Sequence, residues 1–503
     1  MTSSPGPGGP ASGGRTGPVV IGVDSSTQST KAAVVDVDSG ALLALGRAPH
    51  TVTGTDGARR TDPELWWRAL ASAVADGLRS AGVPARAVSG IAVAGQQHGL
   101  VVLDRAGRPL HDALLWNDTG SAPQARALTE ELGADGWLAR TGVLPVASMT
   151  ATKWQWLREH EPRVAEAAAA VRLPHDFLTE RLCGTAVTDP GDASGTCWYS
   201  TADGGYDPVL LELTGMDEKL LSPVAPGGGD RAGVLTAAAA AELGLPAGIP
   251  VAVGTGDNMA AAVGLGLGRA GLLDHPVVSL GTSGTVFAAS RTRPAVPEVA
   301  GFASADGAYL PLGCTLNCTL AVDKVAQLLG LDRERAELGG GPVLLPYLDG
   351  ERTPDLPHAT GLLTGLRHAT TSGQLLGAAY EGAVFTVLRA LDALLAACRL
   401  DPAAQDTAAL PLRLVGGGAR GRTWVETVRR LSGRPLVLPE ATELVALGAA
   451  ALAGSAVSGT DPVTVATSWN LGRGRELPPL ERDMETWRRI DSVLDAAAGP
   501  LLG

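Results

Sequence analysis

One supersecondary pattern is written twice in this chain, about 260 residues apart, and any fold must accommodate both copies. The first is Val19-Val20-Ile21-Gly22-Val23-Asp24, a tip Ser25-Ser26-Thr27-Gln28-Ser29-Thr30, and a return Lys31-Ala32-Ala33-Val34-Val35-Asp36. The second is Pro276-Val277-Val278-Ser279-Leu280, a tip Gly281-Thr282-Ser283-Gly284-Thr285, and a return Val286-Phe287-Ala288-Ala289. Apolar β-branched runs joined by small polar residues predict β-hairpins. Glycine and hydroxylated residues leave backbone N–H groups and hydroxyls open to a polyphosphate. Two such tips facing each other would clamp a nucleotide's phosphates between two similar domains.

A chain of 503 residues exceeds one core and predicts two domains, each of roughly 200–250 residues. The net charge of −12 offers no basic face for nucleic acid, and no apolar run is long enough to span a bilayer. Residues 1–18 are mostly Gly, Pro and Ser and predict a disordered tail rather than a signal peptide. The five cysteines form no disulfide framework, which places the chain in a reducing, cytoplasmic compartment. Cys314 and Cys318 have a helical spacing that a metal could use, but without a second Cys or His pair they read as buried free thiols. Only four of the forty basic residues are lysine, and none follows a glycine loop, so there is no Walker A sequence.

Strand and helix patterns alternate throughout, which argues for an α/β fold. Thr61-Asp62-Pro63-Glu64 starts a helix over Pro63–Ser80. A strand over Gly90–Ala94 leads into the loop Gly95-Gln96-Gln97-His98-Gly99. The polar cluster Thr188–Thr196 is followed by a region read as loop to about Gly229. The strand Pro250–Val253, the turn Gly254-Thr255-Gly256-Asp257-Asn258 and a helix Met259–Gly266 close the first domain, 19–268. The second, 269–503, adds a helix Ser372–Cys398, a strand Leu412–Val415, a glycine turn, a helix from about Arg422 and a terminal helix Leu477–Ala497.

Asp24 ends a fully apolar strand just before the first tip. It could cap a turn, or hold Mg2+ that bridges phosphates; the duplicated hairpin favours the metal. Asp257 has the same strand–turn–acid context and reads either as a plain helix N-cap or as a general base for a substrate hydroxyl. Gly416-Gly417-Gly418-Ala419-Arg420-Gly421 matches a dinucleotide fingerprint, with Glu440 some 20 residues later. Too little chain follows to complete paired mononucleotide halves, so the narrower expectation is a turn that touches some part of a nucleotide. His98 is either a polar-substrate contact or a solvated loop residue. Trp116-Asn117-Asp118 reads first as a turn.

Taken in order, GVDSSTQSTK (22–31), QQHG (96–99), WND (116–118), DASGT (192–196), GTGDN (254–258), SLGTSG (279–284), LPYLDGERTP (345–354) and GGGAR (416–420) resemble the FGGY carbohydrate kinases over essentially all of residues 19–500. The resemblance implies two ribonuclease-H-like (actin/hexokinase-type) domains around an interdomain cleft, with sugar toward the first and ATP toward the second. It implies transfer of a phosphoryl group from MgATP to O5 of D-xylulose. Position by position, it makes Asp257 the catalytic base, with Asp24 and Asp257 at the Mg2+. Gln97, His98, Asp257 and Asn258 become sugar contacts. Thr27, Gly281, Thr282, Ser283, Gly417, Gly418 and Ala419 become nucleotide contacts. The partners expected are a small sugar, MgATP and a second copy of the chain as a homodimer, with neither nucleic acid nor membrane.

Three positions depart from the family pattern. Ser26 replaces a glycine in the first tip, Gln97 stands where methionine is common, and Asp349 where serine is common. Gln97 touches the implied sugar pocket and so bears most on substrate choice. The rival readings are a kinase for ribulose, gluconate or glycerol, a non-catalytic actin-like sugar- or ATP-binding protein, and, on the glycine fingerprint alone, a nicotinamide oxidoreductase.

Overall fold

The computed structural model describes residues 17–497 and 499, so most of the segment expected to form a disordered tail lies outside the described residues. Both hairpins are present. β1 (Val19–Ser25) pairs antiparallel with β2 (Ser29–Asp36), which pairs with β3 (Leu42–Pro49). The first tip is shorter than expected, because Ser29 and Thr30 already belong to β2. On its other edge β1 runs parallel to β4 (Val88–Gly95). Three short strands follow: β5 (Arg231–Val234), β6 (Pro250–Ala252) and β7 (Thr255–Gly256). The sheet order is β5-β6-β4-β1-β2-β3, with β7 extending beside the end of β4. Every residue of β1 is buried, as expected for a strand covered on both faces.

The second sheet repeats this plan. It contains β8 (Val277–Leu280), β9 (Gly284–Phe287), β10 (Ala300–Ala303), β11 (Tyr309–Thr315), β12 (Leu412–Val415), β13 (Leu436–Pro439) and β14 (Gly474–Leu477), in the order β10-β11-β9-β8-β12-β13-β14. Three antiparallel strands come first in the first sheet and four in the second, and in each sheet two strands parallel to the first extend its far edge. Parallel neighbours need crossovers, and helices supply them. The protein is thus two ribonuclease-H-like units in one chain.

α1 (Pro63–Ala81) starts where the sequence signals it: Asp62 accepts from the Glu64 N–H, Pro63 occupies the first turn, and left-handed Gly82 ends it. Next come α2 (Thr150–His160), α3 (Pro174–Cys183) and the single turn α4 (Pro190–Ala193). The stretch read as loop to Gly229 instead contains a helix, Pro208–Thr214, whose cap is the Asp207 carboxylate. α5 (Asp257–Gly264) begins two residues before the expected Met259, with Gly256 as its cap. α6 (Ser372–Ala397) opens with a capping box between Thr371 and Gln374 and runs through the second core.

α7 (Leu444–Ser458) comes from the C-terminal part of the chain yet packs on α5, β1 and β4 of the first unit. Both helices of that contact are rich in Ala and Gly, which lets their backbones approach closely. The terminal helix, α8 (Met484–Ala497), is shorter than expected. Leu477 ends the edge strand β14, and Pro478-Pro479 cannot continue a helix. No single helix among the described residues is long and apolar enough to cross a membrane.

Candidate active site

β4 and β7 lie side by side and parallel, with Thr255 opposite Ala94 and Gly256 opposite Gly95. The loop Gln96-Gln97-His98 and the pair Asp257-Asn258 therefore leave the same end of the sheet together. Strand ends of open α/β sheets are where ligands bind, and here a cavity of about 660 Å³ opens over them. Gln97, His98, Asp257 and Asn258 line it from the first unit, and Ser283, Thr285 and Arg352 from the second. The four residues that the sequence proposed for sugar contact thus meet at one site, within reach of the second hairpin.

Asp257 occupies the first position of α5, and its Oδ1 accepts the Asn258 N–H at 2.8 Å. Burial raises its pKa, and the charges of Asp24 and Asp192 raise it further, to about 7. A carboxyl poised there can exchange a proton at neutral pH, which a plain N-cap aspartate cannot. Asn258 Nδ2 donates to Gln97 Oε1 at 2.8 Å, so the unusual Gln97 is wired directly to its neighbour.

His98 adopts a left-handed backbone, φ 64°, and its ring lies 5.5 Å from that of Phe302 on β10. Gly195 makes room for it: a Cβ there would fall 2.1 Å from His98 Nδ1. Burial and the nearby Lys153 charge push the His98 pKa down to about 3, so the imidazole stays neutral.

Asp24 is buried at the end of β1. Ser26 Oγ donates to its Oδ1 at 2.6 Å, and Lys31 Nζ lies 3.4 Å from Oδ2. Lys31 in turn pairs with Glu443 at 2.8 Å, from the residue that caps α7. Burial raises the Asp24 carboxyl against the pull of Ser26 and Lys31. The serine that replaces the family's glycine is therefore a partner of the acid. Thr27, in the same tip, accepts from Trp116 Nε1 at 2.9 Å, and Trp116 lines the cavity rim.

On the other side, Ser283 lines the cavity, while Gly281 and Thr282 complete its tip. The glycine turn stands at the root of that tip. Gly416 has φ 86°, and a Cβ on it would meet the Leu280 carbonyl oxygen at 2.7 Å. Gly418 packs against the Leu280 side chain, and Gly417 has open space above it. Gly417, Gly418 and Ala419 do not line the cavity itself; they flank the second tip. Cys314 sits on β11 and lines the cavity, whereas buried Cys318 precedes the helix Thr319–Leu329, so the pair shares no helix face.

Two buried features escaped the sequence reading. Fully buried His175 lies behind the Gly254–Asp257 turn, with Nδ1 2.7 Å from Asp192 Oδ2 and Nε2 3.2 Å from Asp176 and 3.8 Å from Asp189. Asp189 also accepts Thr255 Oγ1 at 2.7 Å. Burial alone would lower the imidazole's pKa, but the three acids hold it up at about 9. The dense acid pattern of His175-Asp176 and Thr188–Asp192 was the available signal. The second feature is Lys153, fully buried beneath the cavity wall.

Known proteins resemble this chain over most of its length. Residues 19–264 match the N-terminal domain of the FGGY family of carbohydrate kinases, and residues 277–457 match its C-terminal domain. The chain is 56% identical to the xylulose kinase of Streptomyces coelicolor, over 97% of this chain and 98% of that protein. It is similarly 56% identical to the xylulose kinase of Streptomyces rubiginosus, over 97% and 98%. The crystal structure of xylulose kinase from Bifidobacterium adolescentis superposes with a TM-score of 0.79 at 32% identity, over 95% of this chain and 99% of that one. With both domain halves matched in order and relatives aligned end to end, this chain belongs to the FGGY family of carbohydrate kinases.

Proposed function

We propose that the protein phosphorylates D-xylulose at O5 with ATP, giving D-xylulose 5-phosphate and ADP. The observation that carries the reading is Asp257: a carboxyl with a pKa near 7, at the wall of a cavity that both units line. The similarity to the Streptomyces xylulose kinases supplies the choice of sugar.

Gln97, His98 and Asn258 orient the acceptor, and the neutral imidazole can hydrogen-bond a hydroxyl without adding charge. Asp257 takes the proton from O5 as that oxygen attacks. Thr27 and the Gly281–Ser283 tip face the phosphates, and Gly417, Gly418 and Ala419 take the nucleotide beyond them. Among the described residues no group of three His, Cys, Asp or Glu side chains is arranged to hold a metal ion by itself. Two carboxylates, Asp24 and Asp257, would hold Mg2+, which would neutralise charge on the transferring phosphoryl group. Bound MgATP supplies the γ-phosphoryl group and the neutralising cation. Positioning and charge placement do the rest. A cytoplasmic setting fits these substrates.

The test is an ADP-release assay with D-xylulose, ribulose, gluconate and glycerol. D-xylulose is expected to show the largest kcat/KM. A larger value for any of the other three overturns the choice of sugar, and ADP release that no sugar stimulates overturns the kinase reading.

A further inference from the structure

Thirty-six of the forty basic residues in this chain are arginine, yet the one fully buried deep under the acceptor cavity is a lysine, Lys153 on α2. It forms no ion pair among the described residues. Its Nζ donates instead to three main-chain carbonyls: His98 O at 3.2 Å, Met149 O at 3.3 Å and Ser148 O. All three acceptor residues line the cavity. They come from two separate segments, the Gln97–His98 loop and the Ser148–Met149 turn that precedes α2.

An ammonium on a flexible stem offers three tetrahedrally disposed donors, whereas a planar guanidinium cannot address three converging carbonyls in the same way. His98 makes the arrangement informative. Its left-handed backbone costs energy for a non-glycine residue and persists only where surroundings hold it. Lys153 binds the carbonyl of this residue, while the His98 ring lies beside that of Phe302 at the cavity wall.

We propose that Lys153 is a positioning residue for the sugar: by tying His98, Ser148 and Met149 to one ammonium, it fixes the shape of the acceptor pocket and governs sugar affinity without touching the nucleotide. This rests on the reading of the cavity as the acceptor site. Burial lowers the lysine's pKa to about 7 even with the Asp118 and Cys197 groups nearby. Asp118 is itself occupied by the Arg59 N–H at 2.7 Å and the Gly120 N–H at 2.8 Å. The ammonium is thus held chiefly by carbonyl dipoles.

The test compares Lys153→Gln, Lys153→Met and Lys153→Arg with the native protein. KM for D-xylulose should rise at least tenfold in Lys153→Met and Lys153→Arg and less in Lys153→Gln, with KM for ATP within about twofold of native. Parallel changes in both KM values, or an unchanged sugar KM in a folded variant, overturn the proposal. Should the variants fail to fold, 13C-lysine NMR of the native protein decides, since only four lysine signals exist. Saturation with D-xylulose should move the Lys153 signal while MgADP leaves it in place; a silent Lys153 signal, or one that answers MgADP alone, overturns the proposal. If the signal answers glycerol or ribulose but not D-xylulose, the positioning role stands and the choice of sugar falls instead.

Discussion

Asp257→Asn separates activity from stability. The folded protein raises this carboxyl from 3.8 to about 7 through burial and the charges of Asp24 and Asp192. At 1.36 kcal/mol per unit the shift corresponds to at most about 4 kcal/mol. Because the side chain borders an open cavity, about 1–3 kcal/mol is the realistic span. The sign follows from linkage. A carboxyl whose pKa is raised by folding contributes its full stability when protonated, below about pH 4, and loses that contribution as pH climbs through about 7. Above pH 7 the native protein carries the cost of a buried charge, and the asparagine variant does not. Asp257→Asn should therefore unfold at higher urea concentration at pH 8, with the gain shrinking to nothing near pH 4. Meanwhile kcat should fall by about 10²–10⁴, the usual worth of a general base. Sugar affinity should change little, since asparagine keeps the shape. In the native enzyme kcat/KM should drop about tenfold per unit below pH 7. Bound Mg2+ can only draw that limb lower. A variant with turnover within tenfold of native, or one less stable at pH 8, would refute the reasoning.

His175→Asn should cost about 3–5 kcal/mol in urea unfolding, because it strands three buried acids without their cation. In the native protein the His175 contribution is fully present below pH 6.5 and lost as pH rises through about 9. Unfolding midpoints measured from pH 6 to 10 should fall across that window in the native protein and stay flatter in the variant. Gly195→Ala places a Cβ 2.1 Å from His98 Nδ1; sugar KM should rise at least tenfold with ATP KM unmoved, and an unchanged sugar KM would separate His98 from the pocket. Gln97→Met removes the acceptor of the 2.8 Å bond from Asn258. Its ratio of kcat/KM between D-xylulose and ribulose should shift by about 10–100-fold, as one lost polar contact does, and an unchanged ratio would show that this pair does not select the sugar.

The parts of the fold that were legible in the sequence share one property: their signals are local. Hairpin tips and the Asp62-Pro63 helix start each announce themselves within a few residues. The strand-end residues of the site were legible because the turn that carries Asp257 repeats the context of Asp24. Burial without periodicity was not. The helix Pro208–Thr214 is only seven residues long, too short to show an amphipathic pattern. The terminal segment looked helical through Leu477 because edge-strand and helix patterns are hard to tell apart over four residues, and Pro478-Pro479 decided it. Lys153 and His175 were invisible for a different reason. Their partners lie far apart in sequence, and a lone basic residue in an amphipathic stretch reads as exposed until the tertiary structure closes over it. The position of α7 was hidden in the same way, since no pattern in Leu444–Ser458 says which sheet it will cover.

That placement has a mechanical corollary. α5 carries Asp257 at its head, and the helix it leans on begins beside Glu443, which grips the lysine next to Asp24. The two acids, separated by most of a domain in sequence, are thus rulers laid edge to edge: sliding one helix along the other changes the gap between the carboxylate proposed as base and the one proposed to face the metal in a single movement. A methyl group added where Gly448 touches the Ala260 carbonyl would have no room, a Cβ there falling at 1.8 Å. A bulkier residue at that seam would detune phosphoryl transfer without altering any group that meets either substrate.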